Sequence, residues 1–309
     1  MLRSIRYLAL GLLMPALALA APPATPGAGM TVSTNWLAAH LDDPDLVLLH
    51  VGDRDEYATA HIPGARHVSL DDIALSDHSG KGLMLELPAA DELRDRLAAL
   101  GIADDSQIVV YFGSDWVSPT TRVLFTLDAA GLGARSALLD GGMAAWVRER
   151  HETTDAIASV PKRGVLSPLK MRPIVVDAAF VRAHQESAGF VLVDARSREF
   201  YDGTETGASH AGPHETGHIP GARSLPFNEV TREDLMLKSP QELRSMFDAI
   251  GVKPGDTVIG YCHIGQQATA MLFAARLLGH PVLLYDGSFE DWSRRKLPVE
   301  TATGTTAAP

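Results

Sequence analysis

No second cysteine exists in the 309 residues, so Cys262 has no disulfide partner within its own chain and stays a free thiol. Positive charge is scarce as well: 27 Lys and Arg stand against 38 Asp and Glu, a formal charge of −11, with no basic cluster in the body of the chain. That balance excludes the footprint of a nucleic-acid binder and argues against a polyanionic partner. Six positions after Cys262 stands Ala268 rather than arginine, so the bidentate phosphate clamp of a cysteine phosphatase is missing. His210, His214 and His218 lack cysteine or paired acidic neighbours at ligand spacing, so no metal site is expected there.

What is present is enough for two domains: 46% of residues are hydrophobic and 21% charged, which allows a sizeable core. Residues 1–20 are set apart as a signal peptide, because Arg3 and Arg6 precede the apolar run Tyr7 to Leu19, which closes on Ala18-Leu19-Ala20. The run is short for a membrane span, so cleavage after Ala20 and no stable membrane span in the mature protein are expected. The expected location is outside the cytoplasm, in the periplasm. Cysteines of exported proteins usually pair, which makes a solitary thiol a candidate for reactivity.

Beyond the Pro/Ala/Gly-rich stretch 21–29 the chain repeats itself. His61-Ile62-Pro63-Gly64-Ala65-Arg66 recurs as His218-Ile219-Pro220-Gly221-Ala222-Arg223. Each copy has a strand-like run before this motif (Leu46 to Val51; Phe190 to Ala195) and an amphipathic helix after it (Ala89 to Leu100; Pro240 to Ile250). Ser239 and Glu242 form a capping box at the second of these helices. A strand (Ile108 to Tyr111; Val258 to Tyr261), a loop, a further helix, a last strand and an Asp-Gly turn before a tryptophan complete each copy. Strands alternating with helices at this spacing predict an α/β fold, a largely parallel sheet flanked by helices in each of two domains. The domains are drawn at 31–150 and 174–298, with 151–173 as a proline-containing linker and 299–309 as a disordered tail.

What both copies share serves the fold, and what one copy alone has is a candidate for chemistry. His-Ile-Pro-Gly-Ala is shared and reads as a turn. Cys262 is not shared: Phe112 follows the matching strand of the first copy, so only the second domain can perform thiolate chemistry. Cys262 is delivered by a strand into the loop His263-Ile264-Gly265-Gln266-Gln267, and a helix is predicted to begin near Ala268. The unpaired N–H groups at such a helix start suit an anionic sulfur. Gly265 lets the loop curl, Gln266 and Gln267 are neutral donors, and His263 is expected to add positive charge near neutral pH. Asp194 and Arg196 also belong to the second copy alone, where the first has His50 and Gly52. They are expected on one face of a strand, as an ion pair or, through Arg196, as a holder of an anion.

The repeat, the pattern Tyr57-x3-His61-Ile62-Pro63-Gly64-Ala65-x2-Val68, the run Asp194-Ala195-Arg196-Ser197 and the segment Tyr285-Asp286-Gly287-Ser288-Phe289 with Trp292 resemble the tandem-domain rhodaneses, the thiosulfate and 3-mercaptopyruvate sulfurtransferases. The resemblance runs from about Thr31 to Pro298. It implies two rhodanese-like domains, a catalytically inert first and an active second, with a six-residue loop that begins with the nucleophile, here Cys262 to Gln267. The implied reaction is transfer of sulfane sulfur from a small-molecule donor, thiosulfate before 3-mercaptopyruvate, to a thiol, dithiol or cyanide through a persulfide on Cys262. That chemistry requires no cofactor; a non-enzymatic sulfur carrier or thiol sensor is the alternative. The chain departs from the family in having His263 and Ile264 where thiosulfate-specific members carry basic residues, and Phe200 near the place of a frequent arginine. Nor does the loop contain the Gly-Ser-Gly typical of mercaptopyruvate enzymes.

Overall fold

A computed structural model describes residues 29–114, 117–157, 162–209, 212–302 and 304–306; the expected signal peptide, residues 1–20, lies outside them. In the first half the chain runs β1 (Thr31–Val32), α1 (Thr34–His40), β2 (Leu46–Val51), α2 (Arg54–Thr59), β3 (Arg66–Val68), α3 (Ala90–Ala99), β4 (Gln107–Phe112), α4 (Val117–Ala129), β5 (Ser136–Leu139) and α5 (Gly142–Arg148). The second half repeats this as β6 (Val175–Val176), α6 (Ala178–His184), β7 (Phe190–Asp194) and α7 (Arg198–Asp202). After the inserted hairpin β8 (Ala208–Ser209) and β9 (Gly212–Pro213) it continues as β10 (Arg223–Ser224), α8 (Pro240–Ala249), β11 (Thr257–Tyr261), α9 (Ala268–Leu277), β12 (Val282–Tyr285) and α10 (Ser288–Arg294). Both five-stranded sheets are wholly parallel and share one order, β1-β5-β4-β2-β3 and β6-β12-β11-β7-β10.

Central strands covered on both faces must be apolar throughout, and β2 and β4 are buried along almost their whole length. Alternate residues then go to opposite faces: Ile108, Val110 and Phe112 meet one hydrophobic cluster, Val109 and Tyr111 another. In β11, Val258 and the following Cys262 lie on the face that joins the larger cluster, while Ile259 and Tyr261 turn to the other. That larger cluster runs through both domains, because α4 packs on α9, with Thr121 and Thr269 side by side at 2.9 Å. Cys262 therefore sits at the end of a strand that faces the domain interface.

The repeated motif is a structural clasp in both copies. His61 stacks on Tyr57 and His218 on Tyr201, and each ring Nδ1 lies 2.6 Å from the carbonyl of the tyrosine it covers. The tyrosine hydroxyls donate to Ala65 and Ala222, while Tyr111 and Tyr261 accept from the N–H of Ile62 and Ile219. Gly64 and Gly221 take left-handed φ values of +81° and +77°, as the turn requires. The capping box on α8 forms, with Ser239 accepting from Glu242 N and Glu242 from Ser239 N.

The segment 299–309 is expected as a disordered tail; among its described residues, β13 (Val299–Thr301) pairs antiparallel with β14 (Gly304–Thr306), and Glu300 exchanges both backbone hydrogen bonds with His218. Val299 is buried against the second domain, and this apolar anchor holds a polar sequence that composition alone marks as free.

Candidate active site

Cys262 leaves β11 with its own N–H donated to Ser288 Oγ at 3.2 Å, and Ser288 Oγ donates in turn to Tyr285 O at 2.9 Å. Ser288 holds φ +51°, a costly conformation for a residue with a side chain, and its hydroxyl secures the base of the loop in return. The loop follows at once and α9 begins at Ala268, as expected from the sequence. Gly265 is indispensable to the turn: its φ is +78°, and a Cβ there would lie 2.6 Å from Asp286 O. Among the described residues, no acceptor engages the backbone N–H of His263, Ile264, Gly265, Gln266 or Gln267. Five such donors stand ahead of a ten-residue helix, the kind of N–H array to which anions bind.

The cysteine is fully buried, yet it forms part of the wall of a cavity of about 440 Å³ with His263, Ile264, Gln266, Gln267, Met84 and Ala208. The structure thus brings together all the expected loop residues except Gly265, which shapes the turn from behind. Gln266 is partly committed, donating from Nε2 to Ser118 Oγ of the first domain at 3.2 Å, and Gln267 Oε1 is buried without a partner among the described residues. A larger cavity of about 550 Å³, lined by Tyr285, Asp286 and Arg295 among others, does not contain the cysteine.

Two expectations need correction. Arg196 does not line the cavity. Its guanidinium is buried on Asp194 through Nε (3.0 Å) and Nη2 (2.6 Å), donates to Gly217 O at 2.7 Å, and lies 3.9 Å from the centre of the Phe289 ring. β7 ends at Asp194 and Arg196 stands just beyond the strand, so of the two roles expected the pair takes that of the buried ion pair, an internal clamp, and not that of an anion holder. His263 is not a cation near neutral pH. Burial, then the charge of Arg196 and the nearness of His214, push its pKa down to about 3 against the opposing pull of Asp194. Among the described residues, no group of three His, Cys, Asp or Glu is arranged to hold a metal ion; His210 lies outside them.

Sequence reasoning missed what the first domain supplies. Arg122, buried on α4, donates Nη1 to Gly265 O at 2.9 Å and to Asp286 Oδ1 at 2.7 Å, and Nη2 to Leu85 O. It thereby fixes the cysteine loop to the turn after β12 and to its own domain. The signal was a single arginine in the otherwise uncharged run from Val117 to Leu127. Met84 and Ser118 gave no signal of any kind.

A family model described as the rhodanese-like domain matches twice, over residues 33–149 and 177–295. The bovine (Bos taurus) thiosulfate sulfurtransferase is 32% identical over 284 residues, 86% of this chain and 93% of that protein. The 3-mercaptopyruvate sulfurtransferase of Escherichia coli K12 is 31% identical, covering 87% and 97%, and the sulfur carrier protein TtuD of Thermus thermophilus 30%, covering 84% and 92%. Among solved structures YnjE superposes with a TM-score of 0.79 at 24% identity, over 90% of this chain and 70% of that one, which speaks to the fold. With the repeated parallel sheets and the cysteine loop, these likenesses establish that the chain belongs to the rhodanese-like family, with the domain present in tandem.

Proposed function

We propose that the protein is a sulfurtransferase that carries sulfane sulfur as a persulfide on Cys262 and takes it from thiosulfate in preference to 3-mercaptopyruvate. The Cys262 thiolate attacks the outer sulfur of thiosulfate, the sulfur–sulfur bond of the donor breaks, and sulfite leaves with the bonding electron pair. A thiolate, dithiol or cyanide then attacks the outer sulfur of the persulfide and releases the Cys262 thiolate, so no outside oxidant or reductant is needed. The observation that carries this reading is the set of five unpartnered loop amides around the one cysteine, a cradle for a persulfide anion and for donor oxygens. The relatives named as thiosulfate and 3-mercaptopyruvate sulfurtransferases support the reaction class, and the one named as a sulfur carrier supports the persulfide step alone.

Steady-state rates with thiosulfate and with 3-mercaptopyruvate, each against cyanide and a dithiol, test the proposal. Multiple turnover with a higher kcat/KM for thiosulfate is expected. A higher kcat/KM for 3-mercaptopyruvate at every pH reverses the donor assignment, and a single sulfur loaded without turnover makes the protein a carrier. The segment from Arg3 to Ala20 supports export to the periplasm. N-terminal sequencing of the mature protein, expected to begin at Ala21, checks this; recovery of Met1 in a membrane fraction refutes it.

A further inference from the structure

The segment carrying β8 and β9 brings His214 against His263, with the two Nδ1 atoms 3.5 Å apart. Gly207 permits the approach: a Cβ there would fall 2.6 Å from His263 Cε1 and 3.4 Å from His214 Nδ1, and Gly207 O accepts from His214 N at 2.8 Å. Phe200 closes another side of His263 edge-on, its ring centre 4.7 Å away, and the Phe289 ring lies 6.1 Å from that of His214. The charges that reach the pair are Arg196 on both rings, Asp194 on His263 and Arg294 on His214.

Two neutral imidazoles that meet through Nδ1 share one proton: one ring donates, the other accepts, and the remaining nitrogen of each takes the opposite state. The remaining nitrogens differ in surroundings. His214 Nε2 is buried without a partner among the described residues. His263 Nε2 bonds to no described residue, and its side chain lines the cavity beside Cys262. Were His263 the donor, His214 would have to carry its proton on Nε2, a buried N–H with no acceptor, at a cost of about 1–3 kcal/mol. With His214 as donor its Nε2 is only an empty acceptor, the less costly defect. Burial first, then the charge of Arg196, lowers both pKa values, His214 to about 4 and His263 to about 3, which keeps both rings neutral.

We propose that His214 is a positioning residue: it donates Nδ1–H to His263 Nδ1 and so locks His263 as the neutral Nε2–H tautomer, a fixed hydrogen-bond donor to an oxyanion of the sulfur donor beside Cys262. The role rests on the sulfurtransferase reading of the site. It explains how a buried, uncharged histidine serves an anionic substrate: by a preset proton, with no titration between pH 6 and 8.

Long-range ¹H–¹⁵N spectra of the full chain labelled at histidine, recorded at pH 7 without substrate, test the lock. His263 is identified by loss of its signals in His263→Gln and His214 by loss in His214→Asn. The expected spectrum has the proton of His263 on Nε2 and that of His214 on Nδ1; a proton on His263 Nδ1 overturns the proposal. In His214→Phe the His263 tautomers should mix and KM for thiosulfate rise about tenfold, the worth of one hydrogen bond to a charged group, while persulfide discharge to cyanide keeps its rate. His214→Asn, whose amide N–H reaches the place of Nδ1–H, should restore both. An unmixed His263 in His214→Phe, or an unaltered KM despite mixing, refutes the role. Because the spectra need no substrate, the expected tautomers in a chain that transfers no sulfur would refute the function and leave the lock standing.

Discussion

The two domains are closest in structure where they differ most in chemistry. In the first, β4 ends in Phe112, and Gly142 at φ +52° leaves room for that ring: a Cβ on Gly142 would lie 2.7 Å from Phe112 Cδ2. In the second, β11 delivers Cys262, and the place of Gly142 is taken by Ser288, in the same left-handed conformation at φ +51°, whose hydroxyl holds the Cys262 N–H. The His50 site changes likewise: a buried imidazole with neither nitrogen partnered among the described residues gives way to Asp194, paired with Arg196. Across the interface the exchange begins even-handed, since Asp140 accepts from Leu237 N and Asp286 from Leu87 N, each reaching the other domain. It then becomes one-sided. Arg122 of the first domain enters the second domain's loop, whereas the matching place on α9 holds Ala270. The copy without the cysteine thus contributes a buried arginine to the cysteine loop of the other.

Four experiments break or sharpen this comparison. The largest effect is expected from Cys262→Ser, which should reduce sulfur transfer by more than about a thousandfold, because an alcohol at neutral pH is a weak nucleophile and cannot store sulfur as a persulfide. Adding Phe112→Cys to that variant should restore nothing, since among the described residues the first loop has no arginine reaching it from across the interface. Transfer rates and circular dichroism check both, and appreciable turnover by either variant removes the distinction between the domains.

Next, Arg122→Ala should leave Asp286 buried without its charge partner and release Gly265 O. A loss of about 3–5 kcal/mol is expected in urea denaturation, together with at least a tenfold fall in kcat/KM. A variant as stable and active as wild type would show that the first domain is dispensable to the loop.

The left-handed position gives a smaller, paired effect. Gly142→Ser should destabilise by about 1–3 kcal/mol through collision with Phe112. Ser288→Gly should leave the melting temperature nearly unchanged, as strain relief offsets the lost hydrogen bond, yet lower kcat/KM a few-fold through a looser Cys262. Equal melting shifts for the two would deny that the two residues serve different ends.

The smallest effect is in pH. Burial first, then neighbouring charge, lowers His50 and His214 to about 4 and His263 to about 3. A histidine whose folded pKa lies below its unfolded value holds fewer protons when folded, so stability falls as pH drops below about 6.5 and the loss grows until the folded pKa is reached. Urea midpoints at pH 5 should therefore lie below those at pH 7, and His50→Phe and His263→Gln should each narrow the gap. Between pH 6 and 8, His263→Ala should leave the shape of the pH–KM curve unaltered; a curve that flattens would mean that His263 titrates there.

The repeat, the domain count, the alternating strands and the solitary nucleophile were legible in the sequence because each rests on local periodicity or on comparison of one half with the other. Cys262 stood out because Phe112 occupies its counterpart, and Gly265 because a tight loop before a helix needs a residue without Cβ. The charge state of His263, the confinement of Arg196 and the docking of residues 299–306 depend on what covers each group, and no spacing along the chain encodes that cover. His214 lies 49 residues from His263, and its Nδ1 meets that ring only because the inserted hairpin folds back over the loop.

What the sequence determined by itself is the chemistry available: one thiol, at the end of a strand, ahead of a helix, in one copy of two. What the tertiary structure decided is the surroundings in which that thiol works. Packing α4 on α9 brought Arg122 to the loop from 143 residues away, while Phe200 and His214 cover His263, and Asp194 and Phe289 cover Arg196. Desolvation and long-range contact are properties of the folded arrangement, and they fix which side chains carry charge and which amides remain open to an anion.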